Sequence, residues 1–118
     1  MITIDQLMDK FNKNQNDTFI VKLGDDEYAC RKLPFKKILE LDDEYDVETQ
    51  SGSYDRNLEV IYLSCDLFRK LLDKVEVEGE PHNIINQVLS PIEVLTFYTQ
   101  ILNQYTGQLN KDVETVKK

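Results

Sequence analysis

Side chains able to do acid–base or nucleophilic chemistry are few in this sequence. His82 is the single histidine and lies in a linker beside Pro81, with no cysteine near it. We therefore expect a solvated loop residue rather than a metal ligand or general base. Ser64 and Ser90 lack the flanking residues of a nucleophile motif, and a serine–histidine–aspartate triad would depend on the same histidine. These patterns do not point to an enzyme.

An acidic run that begins at Asp42 (DDEYDVE) has the alternating carboxylates of a calcium-binding loop. Asp42, Glu44 and Asp46 imitate alternate ligands. An EF-hand, however, requires glycine at the sixth position and glutamate at the twelfth, where this chain has Val47 and Ser53. We predict a solvated acidic loop, and neither a metal nor another cofactor.

The two cysteines, Cys30 and Cys65, each lie within an apolar pattern. Two cysteines in a chain of this length do not make a disulfide framework. We predict reduced, buried thiols of a cytosolic protein.

Composition limits the classes of protein that remain. The chain has 118 residues, which is enough for one domain with its own core, and 41% of them are hydrophobic. It has no N-terminal apolar run, no apolar stretch of membrane-spanning length and no lipidation signal, so we expect neither a secreted nor a membrane protein. The net charge of -8 argues against nucleic-acid binding and favours solubility or a basic partner.

The hydrophobic patterns predict a mainly α-helical domain with a small N-terminal β-hairpin, an α+β fold that is compact around a central helix. The predicted elements are a helix ending near Lys13, strands at 18–23 and 27–33, a helix from Pro34, a long helix at 54–73, a short helix after Asn83 and a final helix at 89–107. Residues 1–107 form the predicted domain, and residues 108–118 a flexible C-terminal tail.

The long helix, 54–73, is apolar on two sides. Such a helix is expected in the middle of a fold, with other elements packed on both sides. Its two stripes are Leu58, Ile61, Tyr62, Cys65, Phe68 and Leu72, and Val60, Leu63, Leu67 and Leu71.

Two earlier helices show one apolar face each. A capping box of Thr3 and Gln6 begins the first helix. In the helix after Pro34 the charges oppose the helix dipole, so we expect fraying after about Leu41 and a mobile segment at 42–53. The predicted apolar faces are Ile4, Leu7, Met8 and Phe11 in the first helix, and Phe35, Ile38, Leu39 and Tyr45 in the second.

The final helix carries signals at both ends. Ser90 and Glu93 form a capping box around Pro91, and Gly107 suits the position after the last turn. One arc of the helix is apolar and is expected to pack against the core: Val94, Leu95, Phe97, Tyr98, Ile101, Leu102 and Tyr105.

The opposite face of this helix is almost uncharged, although 31% of the chain is charged. Uncharged polar faces suit helix–helix contacts, where buried charge is expensive, and the alternative is an ordinary solvent face. This face is the candidate partner surface, formed by Thr96, Thr99, Gln100, Asn103 and Gln104.

A weaker candidate is a basic patch for an acidic partner. Arg31, Lys32, Lys36 and Lys37 place four of the 14 basic residues within seven positions. The simpler interpretation, which we favour, is that they pair with the acidic run a few residues on. The patch is too small, and too close to acidic residues, for nucleic acid.

The order of these elements resembles a known family. A hairpin leads into RKLPFK at 31–36, an acidic break follows, then a helix with VIYLSC at 60–65 and a final helix that begins LSPIE at 89–93. This order resembles the tail assembly chaperones of tailed bacteriophages and prophages of Gram-positive bacteria. The similarity covers roughly Phe19 to Asn103.

The resemblance implies a non-enzymatic role in virion morphogenesis. Such chaperones bind the tape measure protein and keep it soluble in the host cytoplasm while tail tube protein polymerises around it, and they are absent from the mature virion. A homo-oligomer is left open. Two other classes remain, a phage-encoded adaptor or inhibitor of a host protein and a head–tail connector subunit.

We predict that Ser90→Ala lowers the free energy of unfolding by about 1 kcal/mol, because the final helix loses its N-cap. Urea denaturation measures this change. Partner binding should be unaffected. A variant that is as stable as the original chain but no longer binds its partner would place Ser90 in an interface instead.

Overall fold

The computed structural model describes residues 1–15 and 17–117, and the side chains of residues 1–13 and 17–105. Within these residues the chain forms six α-helices and a two-stranded antiparallel sheet, which confirms the predicted mainly helical α+β fold. In chain order the elements are α1 (Ile4–Gln15), β1 (Thr18–Leu23), β2 (Asp26–Arg31), α2 (Phe35–Glu44), α3 (Gln50–Ser64), α4 (Asp66–Leu72), a 3₁₀ turn (Pro81–Asn83), α5 (Ile84–Val88) and α6 (Pro91–Lys117).

The hairpin has a two-residue turn that sets its register. Leu23 pairs with Asp26, and Gly24 between them has a φ of 60°, which glycine adopts at little cost. Val21 and Cys30 on its inner face are buried. A two-stranded sheet is only marginally stable in water, so this face requires helices to pack against.

Three aromatic rings attach the hairpin to the helices. The ring of Tyr28 in β2 lies 5.3 Å from that of Phe97 in α6 and 6.0 Å from that of Phe68 in α4. Phe68 and Phe97 are 6.1 Å apart, which closes the triangle. Tilted and offset rings at these separations attract one another in addition to burying area. The hairpin is therefore held between α4 and α6.

Helix α3 lies at the centre of the fold, as predicted for the helix at 54–73, whereas Leu67 of the predicted second stripe is 48% exposed on α4. It packs against α2, α4, α5, α6 and the 3₁₀ turn. Leu58, Val60 and Ile61 on it have no exposed surface.

The prediction of one continuous helix at 54–73 is wrong, because the chain breaks at Cys65. This residue has an extended backbone, with φ -115° and ψ 109°, between α3 and α4. Arg69 of α4 compensates for the break by donating to the carbonyl oxygens of Tyr62 and Leu63 at 2.5 and 3.0 Å. A helix end leaves such carbonyls without intrahelical partners.

The prediction that the helix frays after about Leu41 is also wrong, and most of the segment at 42–53 lies in helices. Helix α2 continues to Glu44, and α3 begins at Gln50 with Thr49 as its N-cap, whose hydroxyl accepts from the N–H of Gly52 at 3.0 Å. Arg56 of α3 pairs with Asp42 at 2.6 Å and so balances the carboxylate at the unfavourable end of α2.

Two predicted apolar faces are less buried in the structure than the sequence suggests. In α2 the buried residues are Ile38 and Leu41, whereas Phe35 and Leu39 are exposed and Tyr45 is half-buried. In α1 the predicted capping box forms. The Thr3 N–H donates to Gln6 Oε1 at 2.9 Å, and the Gln6 N–H donates to Thr3 Oγ1 at 3.3 Å. The whole apolar face of this helix, however, is exposed.

Helix α6 starts where the sequence predicts and ends later. The Ser90 N–H donates to the carboxylate of Glu93 at 3.0 Å, and the Glu93 N–H to the Ser90 hydroxyl at 3.2 Å. The helix continues through Gly107, so its predicted end there is wrong. The predicted flexible tail at 108–118 lies beyond the described side chains and stays a prediction.

We predict that Gly52→Ala destabilises the protein, although alanine is normally the better helix former. A Cβ at this position would collide with the carbonyl oxygen of Asp46 in the turn before α3. We expect a loss of about 2 kcal/mol in the free energy of unfolding, typical of overpacking. Urea denaturation measures it.

The neighbouring variant Ser51→Ala is the matched control, because Ser51 is exposed in the same turn of α3. It should be neutral or slightly stabilising. Equal stability of the two variants would contradict the close approach between α3 and the turn.

Candidate functional site

One stripe of α6 faces away from the rest of the protein. We call it the α6 outer face; all of its residues are exposed and none carries a charge. Their spacing of three or four residues places them in a single row along the helix. The row consists of Ile92, Leu95, Thr96, Thr99 and Asn103.

The N-terminal end of this face is apolar. Ile92 is 74% exposed and Leu95 is 51% exposed. Leu95 was predicted to pack against the core, and that prediction is wrong because the hairpin and α3 take the other sides of α6. The spacing of Ile92, Leu95 and Thr99 by three and four residues was the signal in the sequence that could have shown this stripe.

Leu95 also borders a shallow depression of about 420 Å³. The opposite wall is the turn between α2 and α3, with Val47 and Thr49, and Tyr54 lies on α3. Tyr54 donates its hydroxyl hydrogen to Asn86 Oδ1 at 2.9 Å, which ties α3 to α5 beside the depression. The depression extends the apolar end of the α6 outer face.

Gln100 does not belong to a free surface, contrary to the sequence-based expectation. Its Oε1 accepts from the Lys22 N–H at 2.9 Å, and its Nε2 donates to the Lys22 carbonyl oxygen at 2.7 Å. Both polar groups of one β1 residue are thus satisfied by a helix side chain, which closes that part of the strand edge. Gln104 is half-buried, so Thr96, Thr99 and Asn103 remain as the exposed part of the predicted surface.

The basic patch is not paired with the acidic run. Asp42 pairs with Arg56 instead, and in the described part of the chain Arg31, Lys36 and Lys37 take part in no ion pair. The interpretation that we favoured from the sequence is therefore wrong.

Arg31 and Lys32 line a cavity of about 580 Å³ between α1, the end of β2, the start of α2 and α6. Asp17 is the one carboxylate among the residues that line it. We call this cavity the cationic groove; its aromatic walls are Phe11, Phe35 and Tyr105.

Tyr105 is anchored inside the groove. Its hydroxyl donates to the Leu33 carbonyl oxygen at 2.7 Å, and the Lys32 ammonium lies 5.2 Å from the centre of its ring. Burial raises the pKa of Tyr105 to about 12, so the hydroxyl stays protonated and remains a donor at neutral pH. The hydrogen bond to Leu33 thus attaches this ring to the segment between β2 and α2.

His82 is not the solvated loop residue that the sequence suggested. It is 2% exposed, and its Nδ1 lies 2.7 Å from Glu59 Oε2 on α3. The ring also meets that of Tyr45 edge-on at 6.1 Å. The contact holds the 3₁₀ turn against the central helix, a role that no local pattern in the sequence indicates.

The two cysteines are buried and unbridged, as predicted. The Cys30 thiol donates to the Tyr28 carbonyl oxygen at 3.7 Å, and the neighbouring Cys65 together with burial raises the pKa of Cys30. The neighbouring Cys30 thiol lowers the pKa of Cys65, helped by the N–H groups of Leu67 and Phe68 at the start of α4. The pair joins the hairpin to the break between α3 and α4.

Two kinds of feature are missing from the described residues. No three side chains of histidine, cysteine, aspartate or glutamate among them lie close enough together to hold a metal ion. No helix among them combines the length and apolar character needed to cross a membrane.

Comparison of the chain with protein-family models, curated proteins and solved structures finds no match. The resemblance to tail assembly chaperones therefore stays a prediction from the residues quoted above.

We predict that Gln100→Glu destabilises the protein, because the new carboxylate would face the Lys22 carbonyl oxygen with no hydrogen to donate. The loss should be about 1–2 kcal/mol, the scale of a hydrogen bond replaced by an unsatisfied acceptor. Asn103→Glu, one turn along on the α6 outer face, is the matched control and should change the free energy of unfolding by less than about 0.5 kcal/mol. Equal losses in urea denaturation would contradict the assigned role of Gln100.

Proposed function

We propose that the protein is a non-enzymatic tail assembly chaperone of a phage or prophage, and that it binds the tape measure protein through the α6 outer face. The observation that carries the proposal is this face itself. It is an uncharged stripe with two exposed apolar side chains, Ile92 and Leu95, on a chain of net charge -8.

The side chains of the α6 outer face are suited to packing against a helix of another protein. Uncharged polar side chains such as Thr96 and Thr99 lose less solvation free energy on burial than charged ones do. Ile92 and Leu95 supply apolar area at one end, and the depression beside Leu95 has room for a side chain of the bound segment. Recognition of an amphipathic helix by an apolar groove uses the same features.

The charge of the rest of the chain supports the same role. A tape measure protein is long and helical, with apolar surface that would aggregate if it were left uncovered. A bound domain of net charge -8 would keep each complex apart from the next by repulsion. On this proposal the α6 outer face binds the tape measure protein, and the charged remainder of the domain keeps the complexes from aggregating.

The order of elements in the sequence adds to this support, since it resembles that of tail assembly chaperones. On this proposal the protein acts in the host cytoplasm, is released as tail tube protein assembles and does not remain in the mature virion.

Co-expression with the cognate tape measure protein tests the proposal. We expect the tape measure protein in the soluble fraction with the original chain, and largely in the pellet with Leu95→Glu, because a buried unpaired carboxylate would oppose binding. Leu67→Glu on α4 is the matched control: Leu67 is 48% exposed, close to the 51% of Leu95, and lies outside the α6 outer face. It should keep the tape measure protein soluble.

Three outcomes would contradict the proposal. The tape measure protein could be equally soluble without this protein, or the two leucine variants could act alike. The protein could also be found in purified virions, which would favour a connector subunit.

A further inference from the structure

We propose that the apolar face of α1 and the cationic groove together form a second docking surface, which binds an amphipathic, acidic helix of a partner protein. This surface is separate from the α6 outer face. The inference does not depend on the identity of the partner bound there.

The apolar face of α1 is fully formed and uncovered. A capping box of Thr3 and Gln6 fixes the start of the helix, so the face is present before any partner binds. No other described element covers it; its residues and their exposed fractions are Ile4, 72%; Leu7, 48%; Met8, 52%; and Phe11, 57%.

The exposed face of α1 has the size of a functional apolar patch. Its four adjacent large apolar side chains, between 48% and 72% exposed, make a patch on the order of 400 Å², and the largest patch of that size on a monomer is often functional. The polar side of the same helix, with Asp5, Asp9, Lys10 and Lys13, would be the one to face water. The sequence of α1 is therefore suited to packing that the rest of this chain does not provide.

Phe11 connects this face to the cationic groove. It lies at the C-terminal end of the apolar stripe and also lines the groove with Phe35 and Tyr105. The two features thus form one continuous surface. A helix laid along α1 would pack its apolar stripe between the side chains of Ile4, Leu7 and Phe11, by the usual packing of ridges into grooves.

The groove end determines the charge of the partner. Arg31 and Lys32 line it against the single carboxylate of Asp17, and Arg31 is exposed with no ion pair in the described part of the chain. Lys36 follows Phe35 directly and is exposed as well. A local excess of positive charge in a chain of net charge -8 favours a segment that brings carboxylates to this position.

A second copy of this chain fits the surface less well. A pair of α1 helices would cover the apolar faces, but it would bring no carboxylate to Arg31 and Lys32 in the cationic groove.

Two synthetic peptides of about five helical turns test the proposal. Both have leucine at the helical spacing i, i+3, i+4, i+7; the first has glutamate at its flanking positions, and its twin has lysine at the same positions. Affinity for the full chain is measured by fluorescence anisotropy at low and high salt. We expect the glutamate peptide to bind at least about tenfold more tightly, and its affinity to fall as salt rises.

This comparison is demanding because the net charge of -8 should favour the lysine peptide over long distances. Preference for the glutamate peptide can therefore come only from a local positive site. Equal binding of the two peptides, or tighter binding of the lysine twin, would overturn the proposal.

Two pairs of variants locate the site. Arg31→Glu should abolish the preference for the glutamate peptide, whereas Lys74→Glu makes the same change in net charge at an exposed position on the chain after α4 and should keep it. Phe11→Ser should weaken both peptides, whereas Leu67→Ser removes a similarly exposed apolar side chain from α4 and should not. Circular dichroism verifies that each variant is folded.

If the Arg31→Glu variant still preferred the glutamate peptide, the cationic groove would not be the site that selects the charge of the partner. A concentration-dependent dimer in sedimentation experiments, abolished by Leu7→Glu, would overturn the choice of partner by showing that a second copy covers α1.

Discussion

The packing of α6 on two sides is the constraint on which the rest of the structure depends. Val94, Phe97 and Ile101 have no exposed surface. The helix packs against α3 and also against β1. With these sides occupied, the exposed side chains of α6 between Ile92 and Tyr105 lie in one row, the α6 outer face. The central position of α3 and the placement of the hairpin follow from the same contacts.

Three polar side chains complete this packing by satisfying groups that would otherwise lack partners. Gln100 forms hydrogen bonds with both backbone groups of Lys22. Arg69 donates to two carbonyl oxygens at the end of α3, and His82 pairs with Glu59. Each buried or partly buried polar group left unpaired would cost free energy comparable to a lost hydrogen bond. The polar residues therefore support the fold as directly as the aromatic cluster does.

The two candidate surfaces differ in chemistry although they belong to one small acidic domain. The α6 outer face is uncharged and partly apolar, whereas the surface of α1 and the groove combines an apolar stripe with Arg31 and Lys32. An uncharged stripe selects only weakly between partner segments of different charge, so it is suited to binding varied apolar segments. The cationic groove would instead select for carboxylates. The two surfaces are thus suited to different partner segments.

The sequence by itself determined the fold class, the hairpin, the capping boxes at Thr3 and Ser90 and the central position of α3, because each follows from local spacing or from periodicity that one element carries. It also located three exposed residues of the candidate surface, Thr96, Thr99 and Asn103. Only the tertiary structure decided that Leu95 is exposed and that Gln100 bonds to a strand 78 positions away. The break at Cys65, the burial of His82 and the uncovered face of α1 were decided in the same way. Periodicity shows which side of a helix is apolar, but whether that side is covered depends on neighbours that are distant in the sequence.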